Sequence, residues 1–346
     1  MARSALSSLR LFWDEHRVLL VVALTYIALG GFVQTVILHR PWPIQVTTGW
    51  FARIWMWGST IWLIAHVAGR RRGTRPRLSA DQLIGAVLLA MLAVPVQTTF
   101  QSLKQSLGVV RGFPWDERLA AIDSAIHGGP AWHLFGFILD HPAILKTIDV
   151  LYVGWFLALL ATVVWLCWTR SRLLRQQGLL ALLFLWIGAG TLAAWGFASA
   201  GPCYRAAVDP DAAALLARLD ASQSAMIARQ NQLGVWDGFV AERWLTFGGV
   251  SAMPSLHVGL AVLVALIVTR RNRYIGAALW AYAAIVQVGS VVLAWHYGID
   301  GYAGALCAWG AWALAGVIAR AAVEQPVRTR RFSAIERLLS QNPAPR

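Results

Sequence analysis

The sequence predicts an all-α polytopic membrane bundle of about eight transmembrane helices. Three observations carry the prediction. Hydrophobic residues make up 58% of the 346-residue chain and charged residues 13%, against roughly 45–50% and 25% in a soluble globular protein. Mean hydropathy is +0.56. Apolar runs recur at 18–38, 51–68, 82–103, 148–168, 179–200, 256–269, 274–294 and 302–321, most of them near the roughly 20 residues that cross a hydrocarbon core of about 30 Å. Finally, the Arg residues fall into clusters that alternate along the chain with those runs.

The runs differ in quality. The first is too long for a signal-peptide core and has no small-residue cleavage pattern after it, so it reads as a retained anchor. The second carries Arg53 and is weaker. The sixth is short and is expected to extend at one end. With the N-terminus in the cytoplasm, 20 of the 30 Lys and Arg fall on cytoplasmic segments and nine on the opposite side. The positive-inside rule asks for that asymmetry. It explains most of the +14 net charge without nucleic acid as a partner. Both termini are then cytoplasmic, and the expected home is a bacterial plasma membrane. The domain reading is two N-terminal spans over 1–78, a catalytic membrane domain with a six-helix core over 79–321, and a basic cytoplasmic tail over 322–346.

Two non-cytoplasmic segments are long, about 104–147 and 201–255. In the first, Pro114 precedes an apolar stripe of Trp115, Leu119, Ile122 and Ile126, ended by Gly128-Gly129. In the second, Asp209-Pro210 reads as cap and first turn of a helix running to about Gln230. Both are amphipathic and are expected to lie in the membrane interface. The three cysteines, Cys167, Cys203 and Cys307, imply no disulfide framework.

Candidate chemistry sits at the outer ends of the sixth and seventh runs. His257 lies in SAMPSLH (251–257) and His296 in WHYGID (295–300), on one side of the membrane by the topology. His296 and Asp300 are four apart, a helical spacing that brings side chains into contact. A carboxylate on one imidazole nitrogen fixes the tautomer and leaves the other free as nucleophile. Pro254-Ser255 opens a helix whose N-terminus, with the Ser255 hydroxyl, is an anion site. His257, one turn in, can act as general acid. The set reads as phosphoryl transfer through a phosphohistidine, with no metal or cofactor.

SAMPSLH followed by WHYGID resembles the second and third motifs of the type 2 phosphatidate phosphatase superfamily. The chain looks most like its inositol phosphorylceramide synthase (aureobasidin target) branch and the bacterial relatives of that branch. IHGGP at 126–130, the Asp149/Tyr152 pair and GPCYR at 201–205 add to that resemblance, which spans about 110–321. It implies His296 as nucleophile, Asp300 as its orienter and His257 as proton donor to the leaving group. It also implies a membrane phospholipid donor and a lipid alcohol acceptor, as in sphingolipid inositolphosphotransferases. Gly289 and Ser290 stand where the third motif usually opens with Ser-Arg. The phosphate-gripping Arg missing there favours transfer over hydrolysis. Replacement phosphate ligands are Arg205 with Tyr204 or, as a partial first motif, Lys104 with Arg111. Asp149 and Tyr152, near the start of the fourth span, are functional candidates by their depth; the plainer reading of Asp149 is a helix cap or a partner for Lys146. A lipid phosphate phosphatase, a transporter or scramblase with a degenerate site, and a vanadate-binding relative of the haloperoxidases are the alternatives to a phosphotransferase.

Overall fold

The computed structural model describes residues 2–42, 44–71, 80–245 and 248–341, and among them it is helical with no strand. The helices that matter below are α1 (Ala2–Phe32), α2 (Ile44–Arg71), α3 (Ala80–Arg111), α4 (Asp116–His127), α5 (Pro142–Val153), α6 (Trp155–Trp168), α7 (Arg172–Ile187), α8 (Pro210–Ser222), α9 (Met226–Val240), α10 (Leu256–Thr269), α11 (Arg273–Val292) and α12 (Gly298–Gln341). Large apolar side chains such as Leu157, Leu192 and Leu306 are exposed on the bundle surface, where a membrane helix meets lipid.

Among the described residues, six helical stretches are long and apolar enough to cross a membrane: Glu15–Ile37, Leu83–Arg111, Pro142–Trp168, Arg172–Gly196, Arg273–Val292 and Gly298–Ala322. The eight expected runs map onto these six, onto α2 and onto α10. The second run lies inside α2, many of whose side chains are outside the described residues. The sixth does not extend as expected. Ser255 caps α10 at one end and Arg270 at the other, so α10 stays at 14 residues, a rise of about 21 Å. It is also the most enclosed helix, buried continuously from Val258 to Ile267, with α11 and α12 packed along it and α6 and α7 on its other flank. The expected boundary at 78/79 lies outside the described residues. The expected tail is helical through Gln341, as a continuation of α12.

In α4, Ile122 and Ile126 of the expected stripe are exposed and Leu119 is buried, with Asp116 and Asp123 buried beside it. One expectation for the long loops needs correction: the helix that starts at Asp209-Pro210 ends at Ser222, not near Gln230. Asp209 caps it as expected, accepting from the N–H groups of Asp211 and Ala212. Gln223 then takes a left-handed conformation, φ 48°, and α9 begins anew at Met226.

Candidate active site

The helix that carries His257 is fixed before any side chain reacts. The Ser255 hydroxyl accepts from Val258 N–H at 3.4 Å, satisfying one of the free donors at a helix start. Its own N–H donates to the Asp300 carbonyl at 2.8 Å. Glycines let the two backbones meet there. A Cβ on Gly304 would collide with the Ser255 carbonyl, and one on Gly259 would lie 2.9 Å from the Gly304 carbonyl. So α10 and the start of α12 touch backbone to backbone. Ser255, expected as an anion ligand, is wholly buried, caps α10 and is not among the residues that line the cavity described below.

The contact brings the three motif residues together. His257 Nδ1 is 3.2 Å from His296 Nε2, and His296 Nδ1 is 3.4 Å from Asp300 Oδ2. The latter is longer than a good hydrogen bond, and Asp300 Oδ2 already accepts from the Tyr297 N–H at 3.0 Å. With Asp300 ionised, His296 carries its proton on Nδ1 and presents a lone pair at Nε2. His257 then donates from Nδ1 to that lone pair. His296 is 4% exposed and Asp300 0%. The rings of Tyr152 and Trp155 lie 5.2 and 5.0 Å from the His257 ring, so His257 packs among aromatics.

Sequence reasoning missed two buried carboxylates on α4. Asp116 accepts from the N–H groups of Ala200 and Gly201, at 2.8 and 3.0 Å, and from the Tyr297 hydroxyl at 3.4 Å. Burial pushes its carboxyl above the ordinary range, against the opposing pull of those two N–H groups and of Arg205. Asp123 accepts from Ala131 and Ile299 N–H, at 3.0 and 3.1 Å. Ile299 opens α12, so Asp123 holds the turn between His296 and Asp300. The signal was available: 116, 119 and 123 share one helix face, and two of the three are acids. The loop that Asp116 clamps needs its glycine. Gly201 has φ 92°, and a Cβ there would lie 2.6 Å from the Trp295 carbonyl.

The remaining candidates separate. Lys104 lines the same cavity as His257 and His296, lies within electrostatic reach of His257 and has no hydrogen-bond or ion-pair partner among the described residues. Arg111, seven residues on, is exposed at the end of α3, outside the cavity. Arg205 also stands apart from the cavity lining. Its Nε is 4.0 Å from Asp209 Oδ2, in the collar around Asp116. Tyr204 does line the cavity, with its hydroxyl on the Gln232 carbonyl at 3.2 Å and its ring stacked on Trp236 at 4.9 Å. Tyr152 lines it too, and its buried hydroxyl has no hydrogen-bond partner among the described residues. Asp149 has another task. Its two oxygens accept from the N–H groups of Ile227 and Ala228, both at 2.9 Å, so it caps α9 from another helix.

The cavity has a volume of about 710 Å³ and runs from the histidines between α3, α6 and α7. A second recess, of about 50 Å³, also touches His296 and is lined by Asp123, Asp209, Leu215 and Tyr297 among others. Among the described residues, no group of three or more His, Cys, Asp or Glu is arranged to hold a metal ion.

Comparison with known proteins agrees with this geometry. Residues 117–314 match the PAP2 superfamily, a stretch that runs from the first turn of α4 to the middle of α12 and contains both histidines. No curated protein and no solved structure matches the chain. The match takes in more than half of the 346 residues, and the chain belongs to the PAP2 superfamily, a membrane-embedded member of a class of phosphatases and phosphotransferases that act on lipids.

Proposed function

We propose that the protein is a lipid phosphotransferase working through a phosphohistidine on the non-cytoplasmic face, with both termini in the cytoplasm. His296 Nε2 attacks the phosphorus of a phospholipid donor. The bond from phosphorus to the donor's glycerol-side oxygen breaks, and His257 gives that oxygen its proton. The phosphorylated headgroup stays on His296. A lipid alcohol then enters where the first lipid left. His257, now basic, takes its proton as the alcohol oxygen attacks phosphorus, and the phosphorus–nitrogen bond breaks. Asp300 holds His296 in the reactive tautomer and offsets the positive charge on its ring. Lys104 meets the phosphate, a place for which Arg205 was the first candidate by chain order. No metal is needed in this scheme.

One observation carries the reading: both histidines open onto an otherwise mainly apolar cavity that leads into the bundle. Water at about 55 M outcompetes a lipid alcohol unless positioning and desolvation favour the lipid. An apolar approach supplies both. The phosphatase reading has an observation of its own: a small recess against His296, with Asp123, Asp209 and Tyr297 in its wall, from which water would have to pass into the cavity to attack phosphorus.

Purified protein in lipid nanodiscs, given labelled phospholipid donors with and without ceramide or diacylglycerol, separates the two. A new phospholipid formed only with the alcohol present supports transfer. Equal release of phosphate or headgroup phosphate without any alcohol overturns it in favour of the phosphatase. Activity is expected to survive EDTA and to be inhibited by vanadate, a mimic of the phosphoryl transition state. Loss on chelation, restored by a divalent ion, overturns the metal-independent scheme.

A further inference from the structure

The cavity is much deeper than the chemistry at His296 needs. On α3 its lining runs from Lys104 to Leu89, 15 residues or about 22 Å of helix. On α6 it runs from Trp155 to Cys167, about 18 Å. Its polarity is graded along that length. Lys104, Tyr204, Asn231 and the two histidines sit at one end. Gln101 and Gln97 follow, one and two turns further down α3. Below Gln97 the α3 lining is Val96, Ala93, Leu92 and Leu89, and the facing α6 lining is equally apolar.

Such a space suits neither a headgroup nor ordered water, which needs two to four polar partners. It is also not made by the PAP2-matched stretch alone. α3 lies N-terminal to residues 117–314, as do Leu19 and Ala23 of α1, which complete the wall.

We infer that this cavity is a chain slot: one hydrocarbon chain of the lipid whose oxygen reacts at His296 lies along α3 and α6, with its end level with Leu89, Cys167 and Leu179. The inference rests on the proposed function for the identity of the reacting lipid. In the transfer scheme the departing and the arriving lipid use the same side of phosphorus, so one slot serves both. Its depth exceeds the roughly 15 Å of one leaflet, half of a 30 Å core. Long saturated chains therefore fit at full extension, and the helices outside the family match set the limit on length.

The test is photochemical and does not require turnover. The protein in nanodiscs is incubated with phosphatidic acid, and separately with diacylglycerol, each bearing a palmitoyl chain with a terminal diazirine. Illumination is followed by mass spectrometry of the labelled peptides. Label at Cys167, Leu179 or Leu89 with either probe is expected. Label confined, for both probes, to lipid-facing residues such as Leu157 and Leu192, which are exposed, overturns the slot. Ala93→Phe places a ring about 16 Å along α3 from Lys104. It is expected to cut label at the floor about tenfold while leaving surface label unchanged, and unchanged floor label counts against the slot. The unchanged surface label shows that the variant is still in the membrane and folded. A protein that neither transfers nor hydrolyses any donor refutes the proposed function, and the labelling pattern then still decides whether the cavity takes a chain.

Discussion

His296 borders two spaces: a cavity of about 710 Å³ lined mainly by apolar residues, and a recess of about 50 Å³ beside Asp123, Asp209 and Tyr297. The first has room for a lipid chain. The second has room for a water molecule or two, each of which claims about 30 Å³. The oxygen that displaces His296 must approach phosphorus opposite the phosphorus–nitrogen bond, so water held in the recess has to pass His296 into the cavity before it can act. Acceptor choice in this site is then a matter of which molecule reaches that one face of phosphorus, since the reacting residues are common to both.

The largest effects are expected where both approaches converge. His296→Ala removes the nucleophile that both acceptors need, so transfer and hydrolysis should vanish together. Asp300→Asn keeps the shape and loses the tautomer control, and a loss of at least 10²-fold is expected from general acid–base effects alone. Radiolabelled turnover measures both. Retention of hydrolysis in His296→Ala breaks the comparison, because water would then be acting without the phosphohistidine.

Lys104 sharpens the comparison on the lipid side. A hydrogen bond from a charged group contributes about 1.5–3 kcal/mol, so Lys104→Met should lower kcat/KM for the donor by about 10- to 100-fold. Arg111→Ala, at an exposed position on the same helix, should change little. Equal losses in the two variants would mean that the cavity is not where phosphate sits.

Leu215 sharpens it on the water side. It is buried in the wall of the recess, and Leu215→Asn is nearly isosteric. The ratio of hydrolysis to transfer should rise about fivefold, an effect on the scale of 1 kcal/mol. An unchanged ratio at normal total turnover indicates that water does not come through the recess.

The smallest effect is expected at Ser255. As a buried cap its loss in Ser255→Ala costs about 1 kcal/mol of stability, visible as a modest fall in Tm, with kcat little changed. A loss of activity much larger than the loss of stability would restore the anion-ligand role that the sequence suggested.

Most of the fold was legible because bilayer thickness imposes a length and a polarity on every crossing element, and both are local properties of sequence. The histidine site was legible for a related reason: its parts lie in two short motifs whose helical spacing is itself the geometry. What could not be read depends on partners distant in the chain. Asp149 serves the N–H groups of Ile227 and Ala228, and neither segment announces the other. Asp116 and Asp123 look like first-turn and surface acids until the loop at 200–201 and the start of α12 are placed on them. Chain order favours Arg205 over Lys104 as the phosphate ligand, and only the packing of α3 against α6 and α9 puts Lys104 in the cavity.

The shortness of α10 has an electrical consequence. Its 14 residues carry His257 at most about 21 Å from the Arg270 end, within a hydrocarbon core of about 30 Å. With the Arg270 end at the cytoplasmic edge of the core, the reacting phosphate in the proposed orientation sits about 9 Å inside the insulating layer, nearly a third of the way through the membrane potential. A full crossing costs about 2.3 kcal/mol per charge at 100 mV, so each negative charge drawn inward to His296 works against about 0.7 kcal/mol. That is about a threefold change in substrate occupancy for a singly charged headgroup phosphate and about tenfold for a doubly charged one. Membrane voltage would thereby favour diesters over monoesters at this site. Proteoliposomes held at an imposed potassium diffusion potential would reveal it as a charge-dependent shift in KM.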